Sequence, residues 1–589
     1  MKKLILIIIA VVMHVTYSFG QDAITPLNED IIGPQPATAQ YERFETPQPS
    51  LATGTVNVPV NLYTVKADDV EIPISLCYNT QGIKVYDDPY PCGYGWSLLP
   101  SLRVTRTVMG RADERYKKLA ASRLPLVGND NDTLYYCVKD DNGAIPDSDC
   151  YDTQHDLFNV SFPGCSFGFM LDKQNGNYVA LAAQKNGYKI DANTDLTRFV
   201  ITDPQGNLWH FGGGNTEQAF ESSVVTAWGL EKVQTYKGDS IVVTWDKRSH
   251  LGLSTFAPAE YIDYDEGSNE HKKYSDPVDR ASIITSRASN QNLHLASISF
   301  PGGRLVADYM QDYNSPMLTD LIVVSNDGDT LRHVCLSYSG PAQKNTLLSR
   351  IYIEGQGEYR FEYNEVDFHN NKFALDYWGY YNGHTDNGSA IPQITLKSKT
   401  TTGDTYVTIP VNGENSADRS VDESAMQANM LRKVTLPSGG EVTFTYETHR
   451  FPAWVDTTAW ITNNPVLTFG GGLRVSEIST KGSPSAEPIV TRYAYGDHED
   501  GLAECIALPT LTTFVTAREG LTLCNGPEES GPRFTTCRTL DISNESQYMR
   551  NHIGETPIWY KEVTVYCGGG KTVHQFRDII PANSVRTER

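Results

Sequence analysis

Apolar and polar residues alternate along much of this chain, and short turns rich in glycine interrupt the alternation. The clearest example is Arg432–Glu447, which reads RKVTLPSGGEVTFTYE. Alternation with a period of two predicts a β-strand with one apolar face, and two such runs around a tight turn predict a β-hairpin. Gly439 and Gly440 suit this turn, because glycine adopts the positive φ of hairpin turns without steric cost.

The same pattern recurs elsewhere in the chain, at Ser297–Tyr309, Arg350–Tyr363, Arg198–Phe211 and Phe167–Ala182. Repeated antiparallel hairpins predict an all-β fold built around a large curled sheet. Few short helices are expected, with candidates at Arg111–Leu124 and Asp418–Asn429. In the second candidate Ser420 and Glu423 have the spacing of a capping box, so Ser420 is the expected N-cap.

One turn, Asp203–Trp209 (DPQGNLW), approximates the Asp-box of sialidase-like propellers, although its Asp-to-Gly spacing is one residue too long. We favour an ordinary hairpin turn, in which the carboxylate of Asp203 accepts hydrogen bonds from nearby backbone amides.

The amino terminus has the features of a secretory signal peptide. Lys2 and Lys3 precede an apolar run, Leu4–Val15, and small residues at Ser18 and Gly20 precede the expected cleavage site. The run is shorter than the ~20 residues that a membrane-spanning helix requires. We therefore expect export to the periplasm, the cell surface or the medium, with no transmembrane segment after cleavage.

Sequence character divides the chain into five regions. These are a signal peptide at 1–20, a polar lead-in at 21–50, a first β region at 51–215, a hairpin-rich β region at 216–400, and a second hairpin-rich β region at 401–589. The formal net charge of −22, from 49 basic and 71 acidic residues, argues against binding to nucleic acid or to anionic membranes.

The 10 cysteines of an exported chain allow disulfide bonds. The candidate pairs are Cys137 with Cys150, Cys524 with Cys537, and Cys77 with Cys92; the alternative for each pair is two buried free thiols. The cysteine and histidine spacings do not match a zinc motif, so no metal site is predicted.

Several motifs, in order along the chain, resemble the opening region of RHS/YD-repeat proteins of Bacteroidetes. They are GTVNVPV (54–60), PISLCYNTQGIKV (73–85), GYGWSLLPSLRVTR (93–106), DPQGNLWHFGG (203–213), LDYWGYYNG (375–383), MLRKVTLPSGGEVTFTYE (430–447) and GGLRV (471–475). The G-x-G-W-S-L core of that family is matched by Gly93, Gly95, Trp96, Ser97 and Leu98. A more distant similarity is to the amino-terminal domain shared by the Salmonella virulence-plasmid B toxin and the B component of insecticidal Tc toxins.

This resemblance implies that the curled sheet is a partial RHS-like shell. The tandem YD repeats of long family members do not occur in this sequence. We therefore expect another polypeptide to complete the shell, or a cell-surface protein or glycan to bind it.

Two groups of residues are candidates for binding a ligand. Tyr377, Trp378, Tyr380 and Tyr381 in DYWGYYNG could line a sugar-binding face, although we favour a packed β corner whose rings fill the interior. Acidic clusters at Asn129–Asp132, Asp140–Asp149 and Asp497–Asp500 are weak calcium candidates, and solvated loops are the favoured interpretation. The first calcium ligands to consider are Asp130, Asp132, Asp140 and Asp141.

The sequence contains no GxSxG, HExxH or phosphate-loop motif in a suitable context. We therefore expect an exported, non-enzymatic structural or interaction protein of RHS/YD type, without a cofactor. The alternatives are the amino-terminal shell of a contact-dependent toxin system, and a secreted glycan-binding or glycan-active protein.

Overall fold

Antiparallel β-strands make up most of the computed structural model, and the all-β prediction is confirmed. The structure describes residues 49–87, 89, 91–108, 112–114, 117–118, 151–152, 155–163, 165–174, 177–182, 187–218, 224–256, 259–262, 284–311, 316–340, 347–364, 366, 373–388, 390, 394–399, 406–411, 417–453, 466–505, 515–524, 533–542 and 558–576. They all belong to one compact unit, Thr46–Arg589.

The strands are β1 (Pro49–Ser50), β2 (Thr55–Ala67), β3 (Val70–Asn79), β4 (Trp96–Leu99), β5 (Arg103–Thr107), β6 (Lys117–Lys118), β7 (Tyr151–Asp152), β8 (Leu157–Phe162), β9 (Cys165–Gln174), β10 (Asn177–Ala182), β11 (Lys189–Ala192), β12 (Arg198–Thr202), β13 (Leu208–Gln218), β14 (Val225–Gln234), β15 (Ser240–Phe256), β16 (Ala259–Ile262), β17 (Ile284–Phe300), β18 (Gly303–Gln311), β19 (Pro316–Val324), β20 (Thr330–Ser339), β21 (Leu347–Ile353), β22 (Gly357–Tyr363), β23 (Ile394–Lys399), β24 (Tyr406–Val411), β25 (Leu431–Thr435), β26 (Glu441–Ala453), β27 (Val466–Lys481), β28 (Ile489–Tyr495), β29 (Glu504–Cys505), β30 (Val515–Cys524), β31 (Arg533–Ile542), β32 (Ile558–Trp559), β33 (Glu562–Cys567) and β34 (Gly570–Gln575). Helical structure in the described ranges is limited to α1 (Glu423–Met426) and one 3-10 helix (Asp497–Glu499). Neither of these two helices of the described ranges has the length and apolar character needed to cross a membrane.

The predicted hairpins are confirmed as antiparallel strand pairs. In the central one, β25 and β26 pair through Thr435 and Glu441, and the amide of Leu436 donates to the carbonyl of Gly440 at 2.8 Å. Gly439 has a φ of 85°, as the turn requires. The apolar residues Val434 and Val442 are fully buried, so alternation correctly identified the inward face.

The large sheet forks at β14. One edge of β14 pairs with β13, while the other edge pairs with β5 at Ala227–Gly229 and with β15 at Lys232–Gln234. The β5 branch continues through β8, β9 and β10, and the β13 edge continues through β12 and β11. These strands curl around a core that includes Phe158, Phe199, Phe211 and Trp228.

The other branch runs from β15 through successive hairpins to β34. Its order is β15, β17, β18, β19, β20, β21, β22, β25, β26, β27, β28, β33 and β34. A separate four-stranded sheet contains β1 to β4. Along β2 the buried and exposed residues alternate, with Val56, Val58 and Val60 buried, as expected for a strand with one face on the core.

The helix predictions are only partly right. Helix α1 lies within the predicted Asp418–Asn429, but its N-cap is Asp422, whose carboxylate accepts from the amides of Ser424 and Ala425, both at 2.9 Å. Ser420 is therefore not the cap. Within the predicted helix Arg111–Leu124, the described pair Lys117–Lys118 is strand β6, paired in parallel with β7.

Two of the three candidate disulfides are not formed in this structure, and for Cys77 and Cys92 the alternative of free thiols is found. Cys77 and Cys92 are both free thiols, and Cys92 is buried near the hydroxyls of Tyr309 and Tyr338. The pairing of β30 with β31 places Cys524 opposite Arg533 and Cys537 opposite Gly520. The two cysteines are thus offset by roughly 13 Å along the hairpin, whereas a disulfide needs Cα atoms within about 7 Å.

The remaining predictions fall mainly on other parts of the chain. The signal peptide, nearly all of the polar lead-in, the pair Cys137 and Cys150, and the calcium candidates at Asn129–Asp132 and Asp140–Asp149 lie outside the described residues. The third calcium candidate is described: Asp497–Glu499 forms the 3-10 helix, and Glu499 accepts a hydrogen bond from the hydroxyl of Tyr566 at 2.6 Å.

Candidate functional site

Six strand pairings in the large sheet contain a β-bulge followed by a large apolar residue. After the residue skipped at each bulge, the ladder resumes at Leu230, Leu295, Leu318, Leu348, Leu431 or Val475. We call these six residues the bulge row. A bulge bends its strand and increases the local twist, so its repetition from hairpin to hairpin favours a curled sheet.

An aromatic side chain from the same hairpin binds the backbone carbonyl of each bulge-row residue. The donors, called here the row aromatics, are Trp245 to Leu230 (2.8 Å), Tyr309 to Leu295 (3.0 Å), Tyr338 to Leu318 (2.6 Å), Tyr363 to Leu348 (2.7 Å), Tyr446 to Leu431 (2.5 Å) and Tyr495 to Val475 (2.5 Å). Burial raises the pKa of all five tyrosines, which keeps their hydroxyls protonated as donors.

The N-terminal segment, defined here as residues 50–102, accepts hydrogen bonds from four backbone amides of the bulge row. The amides and their acceptors are Leu230 to the Leu102 carbonyl (2.8 Å), Leu318 to the Pro91 carbonyl (2.9 Å), Leu431 to the Tyr78 hydroxyl (3.0 Å) and Val475 to the Gly54 carbonyl (2.9 Å). A buried amide without a partner would cost about 1–3 kcal/mol. The segment therefore completes the hydrogen bonding of several hairpins and connects them to one another.

The G-x-G-W block lies at the centre of this arrangement. The indole of Trp96 is 4% exposed, packs edge-on against Phe361 with ring centroids 4.7 Å apart, and donates to the hydroxyl of Tyr363 at 2.9 Å. Gly95 has a φ of 76°, and a Cβ atom there would lie 2.4 Å from the Tyr78 ring. The residue before Trp96 must therefore be glycine, both for its conformation and for the close approach of Tyr78.

The other family-motif residues have local roles. Gly93 has a φ of 97° and its carbonyl accepts from the Trp96 amide at 3.1 Å. Ser97 and Leu98 lie on β4, opposite Cys77 and Leu76 of β3. Gly439 and Gly440 form the turn between β25 and β26.

A buried carboxyl group organises the DYWGYYNG turn. One carboxylate oxygen of Asp376 accepts from the amides of Trp378 and Tyr380, each at 2.9 Å, and the backbone carbonyl of Asp376 accepts from the guanidinium of Arg419. The other oxygen, Oδ2, is buried without a hydrogen-bond partner. Burial raises the pKa of Asp376 to about 6, despite the opposing effect of these amides and of Arg419.

The aromatic residues of this turn lie mostly in the interior. Trp378, Tyr380 and Tyr381 are between 3% and 5% exposed, and Tyr377 is partly exposed. Trp378 packs so closely on β27 that a Cβ at Gly470 would lie 2.3 Å from its ring. These contacts match the packed β corner that we favoured, and a sugar would have to displace them before it could stack on Trp378, Tyr380 or Tyr381.

A second buried polar group joins β26, β27 and the residue after β32. His449 Nδ1 lies 2.6 Å from the Tyr560 hydroxyl, which also accepts from Arg474 at 2.6 Å. Arg474 in turn binds Glu447 at 2.8 Å. Burial, with a contribution from the positive charge of Arg474, lowers the pKa of His449 to about 3, so the imidazole is neutral. Its Nδ1 therefore accepts a hydrogen bond from the Tyr560 hydroxyl.

One charged cluster was missed by the sequence analysis. Arg106, fully buried, forms two hydrogen bonds with the carboxylate of Glu114, at 2.7 and 3.0 Å, and lies 3.5 Å from Asp156. The amides of Asp113 and Asp156 donate to each other's carboxylates at 3.1 and 3.3 Å. The sequence RVTRT carried no signal for this cluster, because Asp156 lies 50 residues further along the chain than Arg106.

No family model matches the sequence, and no curated protein matches it. Among solved structures, the chain is similar to the N-terminal domain of effector protein SpvB from Salmonella typhimurium strain LT2, with a TM-score of 0.27 and 11% identity over 50% of this chain and 98% of that one. It is also similar to the TcdB2-TccC3 crystal structure, with a TM-score of 0.32 and 9% identity over 83% of this chain. The Photorhabdus luminescens Tc holotoxin pore matches with a TM-score of 0.30 and 9% identity over 75% of this chain.

The chain spans 38% of the TcdB2-TccC3 chain and 21% of the holotoxin chain. Both groups that the sequence resembles distantly, the Salmonella B toxin and the Tc toxin proteins, are thus found among its structural neighbours.

Proposed function

We propose that this chain is an exported, non-enzymatic structural protein of RHS/YD type, whose curled sheet forms part of a wall that binds another polypeptide. The observation that supports this most strongly is the bulge row, in which buried or half-buried aromatic donors bind the six bulge carbonyls and the N-terminal segment accepts from four of the bulge amides. This hydrogen bonding holds strands in a curved arrangement and suits a rigid wall.

The binding site for the partner is the free edge of β34. In the described part of the chain, β34 pairs only with β33, and its residues are largely exposed. The amide of Phe576 donates to the Lys561 carbonyl at 2.7 Å, so these two residues form a hydrogen-bonded pair of the antiparallel ladder. Hydrogen-bonded and non-hydrogen-bonded pairs alternate along such a ladder. By this alternation the amides of Lys571, Val573 and Gln575 point away from β33, where a partner strand can accept their hydrogen bonds.

The test is to replace Val573 by proline in the full chain and to measure partner binding. Proline removes an outward amide and is tolerated at an edge strand, so the β33–β34 ladder should remain. The matched control, Val573→Thr, keeps the amide and a branched side chain. Pull-down from envelope extracts, followed by binding measurements with the purified partner, should show loss of the complex for Val573→Pro only.

Two results would contradict the proposal. One is that wild-type protein remains a monomer and retains no polypeptide from the envelope. The other is that Val573→Pro and Val573→Thr bind the identified partner equally well, which would place the interface away from β34.

The toxin-related alternative is favoured by the same free edge, since further YD repeats encoded on a second polypeptide could continue the sheet from β34. In that case the neighbouring reading frame should encode YD repeats, and its product should form a stable complex with this chain. Unrelated neighbouring genes, together with a partner of another type, would exclude this alternative and leave the structural role.

A further inference from the structure

Three different metal-ligand side chains lie together on the hairpin of β19 and β20. Asp320 of β19 is directly opposite Cys335 of β20, and His333 is two residues before Cys335 on the same strand. Because side chains alternate across a strand, all three project from one face. The residues of the opposite face, Leu321, Val323, Val334 and Leu336, are buried, so the three ligands lie on the outer face of the sheet.

Their donor atoms converge at one position. His333 Nε2 lies 3.0 Å from Asp320 Oδ1 and 3.3 Å from Cys335 Sγ, and the three donor atoms are all within 4.8 Å of one another. The side chains of His333 and Asp320 are 36% and 32% exposed, so a solute can reach them. This is the one group of three or more such ligands in the described residues.

Without an ion, the pKa of the Asp320 carboxyl is lowered and the pKa of the Cys335 thiol is raised. Partial burial acts to raise the pKa of Asp320, but hydrogen bonds from His333, Thr319 and Cys335 outweigh it and hold that pKa below its usual value. Burial, and then the hydrogen bond to Asp320, raise the pKa of the Cys335 thiol. Asp320 is thus ionised while Cys335 retains its proton.

The geometry differs from that of a nucleophilic Cys–His–Asp triad. In a triad the carboxylate binds the ring nitrogen that is remote from the nucleophile. Here the same atom, Nε2, faces both the carboxylate and the thiol. A thiol whose pKa is raised is also a poor nucleophile near neutral pH.

We propose that Asp320, His333 and Cys335 bind a Zn²⁺ ion on the outer face of the sheet. A nitrogen, sulfur and oxygen ligand set suits zinc, whereas calcium and magnesium prefer oxygen ligands alone. Tetrahedral coordination at the usual bond lengths needs donor atoms about 3.3–3.6 Å apart, so His333 Nε2 would move only a few tenths of an ångström away from Asp320 Oδ1 and from Cys335 Sγ. The fourth position faces solvent and is open to water or to a ligand from a binding partner.

Binding involves a defined exchange of protons. Zinc takes the place of the Cys335 proton, which leaves to solvent, and the sulfur binds as a thiolate. The Nε2 proton that His333 donates to Asp320 also leaves to solvent while Nδ1 takes one up, so the ring binds through Nε2 as the neutral tautomer protonated at Nδ1. The ion would link β19 to β20 beside the bulge-row residue Leu318.

The test uses the purified full chain with Zn²⁺ alone, and with Co²⁺ as a spectroscopic substitute. Wild type should bind one equivalent with thiolate-to-cobalt absorption. Cys335→Ser, His333→Asn and Asp320→Asn should each lower the affinity on the order of 100-fold, since loss of an outer-shell partner alone can lower it by 10–100-fold. Cys335→Ser should also abolish the thiolate absorption.

Two variants serve as matched controls. Cys567→Ser removes an exposed thiol, and His384→Asn removes a histidine that lies 3.5 Å from the carboxylate of Asp418. Both should bind zinc as wild type does, and thermal unfolding without metal should be unchanged in all variants. Equal affinity in wild type and the three site variants, or thiolate absorption that persists in Cys335→Ser, would overturn the proposal and identify adventitious binding only.

Discussion

The hairpins of the bulge row and the terminal hairpin β33–β34 have the same backbone pairing but different surroundings. A bulge-row hairpin has an aromatic donor to its bulge carbonyl, and several also have their bulge amide bound by the N-terminal segment. In contrast, β34 is exposed along most of its length, and Val573 is 45% exposed. An isolated hairpin is at best marginally stable, so the comparison indicates that the N-terminal segment and the row aromatics stabilise the bulge-row hairpins. The proposed partner would supply the missing support at the edge of β34.

The largest effect is expected from Trp96→Ala. This change removes a buried indole between Phe361 and Tyr78 and leaves the Tyr363 hydroxyl without its donor. Truncation of a buried tryptophan typically lowers the free energy of unfolding by about 3–5 kcal/mol. Denaturant unfolding of the full chain would measure it. A loss below about 1 kcal/mol would mean that the N-terminal segment contributes little to the wall.

The contribution of Asp376 to folding stability is expected to depend on pH. Asp376 lies in the turn that contacts the N-terminal segment, where the Val85 amide donates to the Gly379 carbonyl at 2.9 Å. The folded pKa of about 6 exceeds the usual aspartate pKa of 3.8. Protonation therefore favours the folded state, and stability is lost as pH rises from about 4 to 6. Wild type should lose roughly 3 kcal/mol relative to Asp376→Asn across this range.

The measurement is urea unfolding of both proteins at pH 4 and at pH 7, the two sides of that range. The stability difference between them should change in favour of the asparagine variant at the higher pH. A difference that is independent of pH would show that Asp376 is ionised in the folded state at little energetic cost.

A comparison of Tyr363→Phe with Tyr309→Phe isolates the contribution of the N-terminal segment to a single hairpin. Both changes remove a donor to a bulge carbonyl, but only the first also removes the acceptor for Trp96. Each lost buried partner costs about 1–3 kcal/mol, so Tyr363→Phe should be the more destabilising by about 1 kcal/mol or more. Equal losses in thermal or denaturant unfolding would argue against a special role for the Trp96 contact.

The smallest effect on stability is expected from Val573→Pro. Position 573 lies on an exposed edge and its amide points away from β33, so the free energy of unfolding should change by less than about 0.5 kcal/mol. The matched change Thr572→Pro removes an inward amide of the ladder and should be clearly more destabilising. The reverse order would show that the amide of Val573, and not that of Thr572, points toward β33.

Local pattern was sufficient to identify the hairpins, because alternation and turn glycines act within about 15 residues of sequence. The turn at Asp203 was likewise predictable from local sequence. The carboxylate of Asp203 accepts from the amides of Gln205 and Asn207, at 3.0 and 2.8 Å, as expected for an ordinary hairpin turn. The bond from Tyr446 to Leu431 was not predictable in this way, because it depends on the bulge between β26 and β27 and the one between β22 and β25.

The candidate sites were harder to predict because their residues meet across strands. Spacing suggested a Cys77–Cys92 disulfide, but Cys92 faces Tyr309 and Tyr338 instead. Cys335 and His333 have no zinc-type spacing, and their third ligand, Asp320, comes from the neighbouring strand. The register of β19 and β20, which sequence periodicity does not specify, places Asp320 opposite Cys335, and Cys92 lies in a loop outside any strand.

Native-state hydrogen exchange of the full chain tests the central claim most directly. The amides of Leu230, Leu318, Leu431 and Val475 should exchange only through large-scale unfolding, since the N-terminal segment accepts their hydrogen bonds. The outward amides of Lys571, Val573 and Gln575 should exchange rapidly. Bulge-row amides that exchange as fast as those of β34 would contradict the account.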